Sequence, residues 1–175
     1  MLGPALTVGS YLLGSISSAL ILAQRRGVDL RREGSGNPGA TNVARVLGAR
    51  AGRLVLLFDA GKGALPALMA RATLGPDDPW TAATGAAAAL GHCFPIWHGF
   101  QGGKGAATAA GVLLVLVPPA GLAAAGTFFV LKKLTKRSSV GSIGGALVGA
   151  GTTLALLGPA SPRTWMAARC SGSCW

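Results

Sequence analysis

Small hydrogen-bonding residues and glycines are concentrated in one polar stretch, GSGNPGATNVARVLG, which runs from Gly34 to Gly48. Glycine lets the backbone approach a ligand closely, and successive backbone N–H groups can then surround an anion. Arg45 lies four residues after Thr41, so the two share one face if a helix begins near Ala40. Because helix N-termini and guanidinium groups both favour phosphate, the stretch predicts a phosphate-binding loop. The competing interpretation is an ordinary polar loop with a helix cap.

The first six residues of this stretch match the dinucleotide-binding pattern G-x-G-x-x-G. That pattern needs a buried strand before its first glycine and an acidic residue about 20 residues further on. Asp59 satisfies the second requirement, but the preceding residues, GVDLRRE, form no buried strand, and Pro38 fits poorly with the turn into a helix. We therefore reject a dinucleotide-binding function for this stretch.

A second glycine-rich loop carries Lys104, in the sequence Gly102-Gly103-Lys104-Gly105. Its backbone N–H groups can form an anion-binding concavity, to which the lysine adds a positive charge. A Walker A loop is excluded because His98 occupies the position of its first glycine and Gly105 follows the lysine. The glycine frame favours a phosphate contact over a lysine that only marks topology.

Two charged residues, Asp59 and Lys62, interrupt the apolar sequence LVLLFDAGKGALPALMA. They are three positions apart and lie on one face of a helix. Ionisable residues inside a membrane span are costly, so they usually face a cavity or each other. Two interpretations stay open: a structural ion pair, or a lysine that lies near an anion and is oriented by the aspartate.

Metal and cofactor chemistry lack the residues that they need. The two histidines and three cysteines (His92, His98, Cys93, Cys170 and Cys174) form no four-ligand zinc pattern. We therefore predict no metal site and no cofactor, and we expect Cys93 to be a small core residue.

The candidate residues lie between long apolar segments. Of the 175 residues, 50% are hydrophobic and only 12% are charged, against about 25% in a typical soluble domain. The first 24 residues carry no charged side chain and could cross a hydrocarbon core of about 30 Å. A signal peptide is disfavoured because no basic residue precedes the apolar run. The composition predicts an all-α, polytopic membrane helical bundle.

Six membrane spans are predicted, at about 3–24, 54–74, 80–97, two halves of 106–131 that turn at Pro118-Pro119, and 140–157. The alternative for 106–131 is a single kinked helix. Arginines between the first two spans place that loop in the cytoplasm and the N-terminus outside. The net charge of +11 is attributed to this topology, since no basic stretch is interleaved with aromatic residues as in nucleic-acid binding. The glycines Gly141, Gly145 and Gly149 are spaced for close helix packing.

Three motifs in order make the chain resemble the bacterial membrane acyl-phosphate:glycerol-3-phosphate acyltransferases. They are GSGNPGATNVARVLG (34–48), DAGKGALP (59–66) and GHCFPIWHGFQGGKGAAT (91–108), with a short fourth match, SSVGS (138–142). The resemblance covers about residues 8–157. It implies an all-helical, multi-pass protein of the bacterial cytoplasmic (inner) membrane whose active site faces the cytoplasm.

The resemblance also implies the reaction, which belongs to phospholipid biosynthesis. A fatty acyl group passes from acyl phosphate to the 1-hydroxyl of glycerol 3-phosphate, giving lysophosphatidic acid and phosphate. The expected partners are these two substrates, membrane lipid and the enzyme that supplies acyl phosphate, with no nucleic acid. Since acyl phosphate is already activated, positioning and charge stabilisation can carry catalysis, and we expect direct attack without an acyl-enzyme. A substrate phosphate oxygen is the expected proton acceptor, and His92 is the alternative base.

By resemblance, individual residues receive expected roles. The catalytic, phosphate-holding set is Ser35, Arg45 and Lys104. The substrate-binding set is Gly34, Gly36, Asn37, Gly39, Thr41, Asn42, Lys62, Gly102, Gly103 and Ser142. Asp59 and His92 are expected to be structural or supporting. No Ser-His-Asp set is apparent, and the soluble-type acyltransferase pattern is absent because Trp97 and Gly103 lie five residues after the two histidines.

Two features depart from the family. Gln101 stands where members usually have lysine. The chain ends in GPASPRTWMAARCSGSCW, where members usually carry a further span and a basic His-Arg-x-x-Asn segment. We interpret residues 1–158 as the membrane acyltransferase domain and 159–175 as an atypical tail of the kind that truncation or a shifted reading frame produces.

Two alternatives come from other classes of protein. A transporter or channel for a phosphorylated anion would suit the intramembrane charges and the basic glycine loop, although no internal repeat is visible. A purely structural membrane subunit would not need two glycine-framed basic loops.

Overall fold

A computed structural model of the chain describes residues 1–158, and this part contains eight α-helices and no strand. The helices are α1 (Leu2–Gly14), α2 (Ser18–Arg25), α3 (Ala40–Val46), α4 (Ala49–Leu74), α5 (Pro79–Cys93), α6 (Ala106–Leu116), α7 (Pro118–Thr135) and α8 (Ser138–Leu157). A 3₁₀ turn, Ile96–His98, follows α5. The predicted all-α class is confirmed. The predicted tail at 159–175 lies outside the described residues.

The first apolar segment, predicted as one membrane helix at about 3–24, forms two helices. Helix α1 ends at Gly14, and α2 begins at Ser18, where the Ser17 hydroxyl accepts a hydrogen bond from the Leu20 amide at 3.3 Å. A serine that caps a new helix competes with continuation of the preceding one. The break therefore leaves backbone groups near Ile16 open to other partners.

Contacts divide the chain into two compact units, Met1–Leu116 and Val117–Trp175. In the first unit, α1 packs on α5, α4 packs on α6, and α3 lies on α4. The second unit pairs α7 with α8. The prediction of a single domain over 1–158 is not tested by this division. Helix α3 begins at Ala40, as the position of Arg45 relative to Thr41 suggested.

Close contacts between helices depend on glycine. In the first unit, a methyl group on Gly63 would collide with the Thr108 carbonyl, and one on Gly111 would collide with the Ala60 carbonyl. These reciprocal contacts draw α4 and α6 together, as small residues do between membrane helices. In the second unit, Gly141 lies against Phe128 and Gly145 lies against Ala124, so the predicted close packing of α8 is confirmed for these two glycines.

The segment 106–131 forms two helices separated at Val117, directly before Pro118-Pro119. Proline lacks a backbone N–H and fits the first turn of a helix, which explains why a new helix begins there. The choice between a single kinked helix and a hairpin of two short helices stays open. The turn of a hairpin at this point stays a prediction.

Large apolar side chains cover the outside of the helices. Segments Leu2–Arg25 and Ser138–Leu157 are long and apolar enough to cross a membrane, and Ala106–Leu116 is a shorter apolar helix. Helix α4 is 26 residues long and exposes Leu54, Leu57, Phe58, Leu65, Leu68 and Met69. Exposed apolar surface of this extent indicates a surrounding of lipid. The number of spans and the side of the N-terminus stay predictions.

Candidate active site

Asn42 organises the first glycine-rich loop from within. Its side chain is 2% exposed, and its Oδ1 accepts a hydrogen bond from the Ser35 amide at 2.9 Å. Its Nδ2 donates to the carbonyls of Glu33 at 2.9 Å and Leu30 at 3.3 Å. Three of its hydrogen-bonding positions are therefore used by the loop itself. This geometry supports the part of the prediction in which Asn42 shapes the loop.

The glycines of this loop are required by its backbone. Gly34 and Gly36 have φ of +62° and +70°, in the left-handed region that side chains disfavour. A methyl group on Gly34 would collide with Asn42 Oδ1, and one on Gly36 would crowd the carbonyl of Arg31. The loop around Ser35 therefore closes tightly on Asn42.

The predicted phosphate-holding side chains remain accessible on this frame. Ser35, Arg45 and Lys104 are exposed, while Asn37 and Thr41 are half-buried. Arg45 lies on the short helix α3, which directly follows the loop. An accessible arginine and lysine beside glycine-rich backbone can bind the oxygens of a phosphate group.

The second loop is attached to the end of α5. The Gly102 amide donates to the Cys93 carbonyl at 3.1 Å, and the Gly103 amide donates to the His92 carbonyl at 3.1 Å. A methyl group on Gly102 would collide with the His92 carbonyl, and one on Gly103 would collide with His92 Nε2. The backbone that carries Lys104 is thus fixed against His92 on two sides.

The two loops are linked by Arg31, a residue that the sequence patterns did not single out. One guanidinium nitrogen of Arg31 donates to the carbonyl of His98 at 3.0 Å and to that of Gln101 at 3.1 Å. Arg31 lies four residues before Ser35, and Gln101 lies three before Lys104. The stretches that carry the predicted phosphate ligands therefore lie side by side.

Asp59 and Lys62 form a buried ion pair. Lys62 Nζ lies 3.0 Å from Asp59 Oδ1, with side-chain exposures of 2% and 3%. The same Nζ donates to the Ile16 carbonyl at 2.8 Å, and the Ser18 hydroxyl donates to Asp59 Oδ1 at 3.3 Å. The pair therefore joins α4 to the break between α1 and α2. Of the two interpretations, this geometry fits the structural ion pair; substrate binding by Lys62 stays a prediction.

His92 lies between the ion pair and the second loop. Its Nδ1 is 3.6 Å from Asp59 Oδ1, too far for an ordinary hydrogen bond, and has no hydrogen-bond partner. The residue is 7% exposed, and its Nε2 faces Gly103. These contacts suit the predicted supporting role of His92.

His98 lies in the connecting segment after α5. Burial, together with the positive charges of Arg31 and Lys62, lowers the pKa of this imidazole. A lowered pKa favours the neutral ring at physiological pH. Its carbonyl, as described above, holds Arg31.

Ser142 lies in the second unit, on α8. It is half-buried, and its hydroxyl donates to the Ser138 carbonyl at 2.9 Å within the helix. Its expected contact with the glycerol backbone stays a prediction.

Comparison with known proteins identifies the family to which the chain belongs. The family model for glycerol-3-phosphate acyltransferase matches residues 4–171. The chain belongs to this family. A glycerol-3-phosphate acyltransferase of Anaeromyxobacter dehalogenans is 46% identical over 169 residues, covering 94% of this chain and 84% of the relative. One of Myxococcus xanthus is 51% identical over 151 residues, covering 85% and 78%.

Solved structures agree with the family assignment. The crystal structure of PlsY, an integral membrane glycerol 3-phosphate acyltransferase, in its glycerol 3-phosphate form superimposes with a TM-score of 0.86 at 38% identity. The match covers 91% of this chain and 80% of that one. The lysophosphatidic acid form gives a TM-score of 0.82, covering 88% and 76%. This glycerol-3-phosphate acyltransferase is accordingly a membrane enzyme, and the transporter and structural-subunit alternatives are wrong.

Three contacts of the site escaped sequence reasoning. Arg31 belonged to a group of arginines read only as topology markers, while Ile16 and Ser18 belonged to an apolar run read as one helix. Ser17 and Ser18 in the middle of that run were a usable signal, because serine favours helix N-caps. No local pattern distinguishes Arg31 from its neighbour Arg32.

Proposed function

We propose that this acyltransferase uses acyl phosphate as its donor. It transfers the fatty acyl group to the 1-hydroxyl of glycerol 3-phosphate and releases lysophosphatidic acid and phosphate. The similar PlsY structures are described as glycerol 3-phosphate and lysophosphatidic acid forms, which supports this acceptor and this product.

The observation that carries the proposal is the adjacency of two glycine-framed loops with exposed cations. Arg45 follows the first loop on α3, and Lys104 lies in the second, which Arg31 holds beside it. Two phosphate-bearing substrates need two sets of positive or N–H groups at close range. An acyl phosphate donor supplies the second phosphate, whereas a thioester donor does not place one at its reactive carbon.

The acyl group is transferred directly, by attack of the glycerol hydroxyl on the acyl carbonyl. The bond between the carbonyl carbon and the phosphate oxygen breaks, and phosphate leaves with the electron pair. Arg45 and Lys104 stabilise the negative charge that develops on the leaving phosphate. A phosphate oxygen of the substrate accepts the hydroxyl proton.

The reaction takes place at the cytoplasmic face of the inner membrane. Both loops follow apolar helices and carry arginines and lysines, which collect on the cytoplasmic side of bacterial membranes. The acyl chain can then stay in lipid while both phosphates stay in water.

The test is an assay of the purified protein in lipid nanodiscs. We expect lysophosphatidic acid from labelled glycerol 3-phosphate and acyl phosphate, and none from acyl-CoA or acyl carrier protein. Arg45→Ala and Lys104→Ala should each lower kcat/KM by about 100-fold, since each removes a charge that the transition state uses. Full rates in both variants would show that the site is assigned wrongly.

The absence of an acyl-enzyme is tested separately. Turnover with radiolabelled acyl phosphate is quenched and the protein is examined for bound label by mass spectrometry. Trapping of a covalent acyl-protein during turnover would sink the direct mechanism, while leaving the choice of donor intact.

A further inference from the structure

The Arg31 side chain makes hydrogen bonds from the first loop region to the connection after α5. Its Nη2 donates to the carbonyls of His98 and Gln101, at 3.0 and 3.1 Å. Both acceptors are backbone atoms. The contact therefore depends on the backbone conformation of the 98–101 segment and not on its side chains.

The segment that Arg31 grips is conformationally strained. Gly99 and Phe100, between the two acceptor carbonyls, have φ of +66° and +62°. A phenylalanine in the left-handed region is uncommon and needs surrounding structure to hold it there. The Phe100 amide donates to the Pro95 carbonyl at 2.9 Å, and Arg31 bonds to the carbonyls on both sides of Gly99 and Phe100.

The backbone of Arg31 is itself held in the first loop. Its amide donates to Asp29 Oδ1 at 3.1 Å, and the preceding residue, Leu30, is 1% exposed with its carbonyl accepting from Asn42. The Arg31 carbonyl packs beside Gly36. One residue thus has its backbone in the loop of Ser35 and its side chain on the loop of Lys104.

We infer that Arg31 is a positioning residue, which holds the Lys104 loop at its working distance from the Ser35–Arg45 loop. This inference rests on the proposed function, because it assigns Lys104 and Arg45 to the two phosphates. Arginine suits this role since the two N–H groups of one guanidinium nitrogen are fixed in a plane and each reaches a carbonyl, whereas a lysine ammonium rotates freely. Arg31 acts through Lys104 and does not touch the reacting atoms.

The neighbouring residue Arg32 is a matched control. It carries the same charge one position away, but its Nε pairs with Asp29 Oδ2 at 3.2 Å with exposures of 88% and 56%. An exposed ion pair of this kind contributes little. Arg32→Ala therefore changes charge without touching the Lys104 loop.

The kinetic experiment compares Arg31→Ala, Arg31→Lys and Arg32→Ala in nanodiscs. We expect Arg31→Ala to lower kcat/KM by about 10-fold through the loss of two charge-assisted hydrogen bonds. Arg31→Lys should recover part of this loss, and Arg32→Ala should stay within about two-fold of the parent. Equal effects of Arg31→Ala and Arg32→Ala would overturn the inference.

A double variant separates positioning from general destabilisation. If Arg31 acts through Lys104, adding Arg31→Ala to Lys104→Ala should cost less than about two-fold more, because coupled residues are non-additive. A full further 10-fold loss in the double variant would mean that Arg31 acts independently of Lys104, against the inference.

Hydrogen exchange tests whether Arg31 holds the Lys104 loop, without any assay of activity. The Gly102 and Gly103 amides are hydrogen-bonded in the parent, so the peptide covering 98–105 should exchange slowly. Arg31→Ala should speed its exchange and Arg32→Ala should not. Unchanged exchange in Arg31→Ala would refute the positioning role of Arg31, even if lysophosphatidic acid is made. If the parent protein makes no lysophosphatidic acid, the proposed function is refuted. The exchange result then decides by itself whether Arg31 holds the Lys104 loop.

Discussion

Gly103 lies directly against the imidazole of His92, with no space for even one methyl group between its Cα and the ring. The three atoms nearest to a Cβ on Gly103 would all belong to the His92 side chain. The neighbouring Gly102 differs, since its Cβ would meet the His92 and Cys93 carbonyls and the Pro95 ring. Two adjacent glycines are therefore required for different reasons, and only Gly103 is required by the His92 side chain.

This difference predicts which substitution can be rescued. Gly103→Ala should displace the Lys104 loop and lower kcat by about 100-fold, as a misplacement of about 1 Å can do. The double variant Gly103→Ala/His92→Ala should be nearly as active as His92→Ala alone, because the alanine methyl group then has space. Activity is measured as lysophosphatidic acid formed. Gly102→Ala is the control, because removing the His92 side chain leaves its carbonyl in place. Equal rescue of both glycine variants would contradict this account.

The Asp59–Lys62 pair predicts a non-additive effect on stability. Lys62→Met or Asp59→Leu leaves the other charge buried without its partner, and each should cost about 3–5 kcal/mol of folding free energy. The double variant should be more stable than the poorer single variant, because no unpaired charge remains. Thermal unfolding of purified protein in detergent measures all three. Losses that simply add would show that the two charges do not interact.

The hydrogen bonds of Asn42 predict that a side chain of the same shape without the amide donor cannot replace it. Asn42→Asp keeps the volume and the acceptor for the Ser35 amide, but its second oxygen would face the Leu30 and Glu33 carbonyls. Each buried group left unpaired costs about 1–3 kcal/mol. We expect Asn42→Asp and Asn42→Ala both to lose most activity and to lower the unfolding temperature. A fully active Asn42→Asp protein would show that the hydrogen bonds donated by the Asn42 amide are not needed to hold the loop.

The contact between Arg31 and the His98 segment predicts a change in a titration. Burial and the positive charges of Arg31 and Lys62 hold the pKa of His98 below its usual value of about 6.5. Removing one nearby positive charge makes the imidazolium form less costly, so Arg31→Ala should raise this pKa. NMR of the ring protons can follow it, since the chain has two histidines and His92→Gln assigns them. Arg32→Ala should leave the titration where it is.

Local patterns predicted those parts of the molecule whose causes are local. The start of α3 at Ala40 and the start of α7 at Pro118 follow from residues within one or two turns. The i,i+3 spacing of Asp59 and Lys62 predicted that the two could meet. In each case the partners are close along the chain, so their geometry follows from helix periodicity.

Contacts between distant segments could not be predicted in this way. Nothing near Lys62 indicates that its ammonium would find the Ile16 carbonyl, since that depends on how α4 lies against the break between α1 and α2. The same holds for Arg31 and Gln101, which are 70 residues apart. Such pairs are set by helix packing, which here depends on glycine contacts such as Gly63 with Thr108.

The break in the first apolar segment has a consequence for biogenesis. The Ile16 carbonyl bonds to a lysine 46 residues later in the chain, so its partner is synthesised only after the first segment has emerged. A backbone carbonyl at membrane depth needs a partner or water. The first segment therefore completes its structure only when α4 arrives beside it. The final structure of the break therefore needs both segments, and the Lys62 ammonium completes its hydrogen bonds.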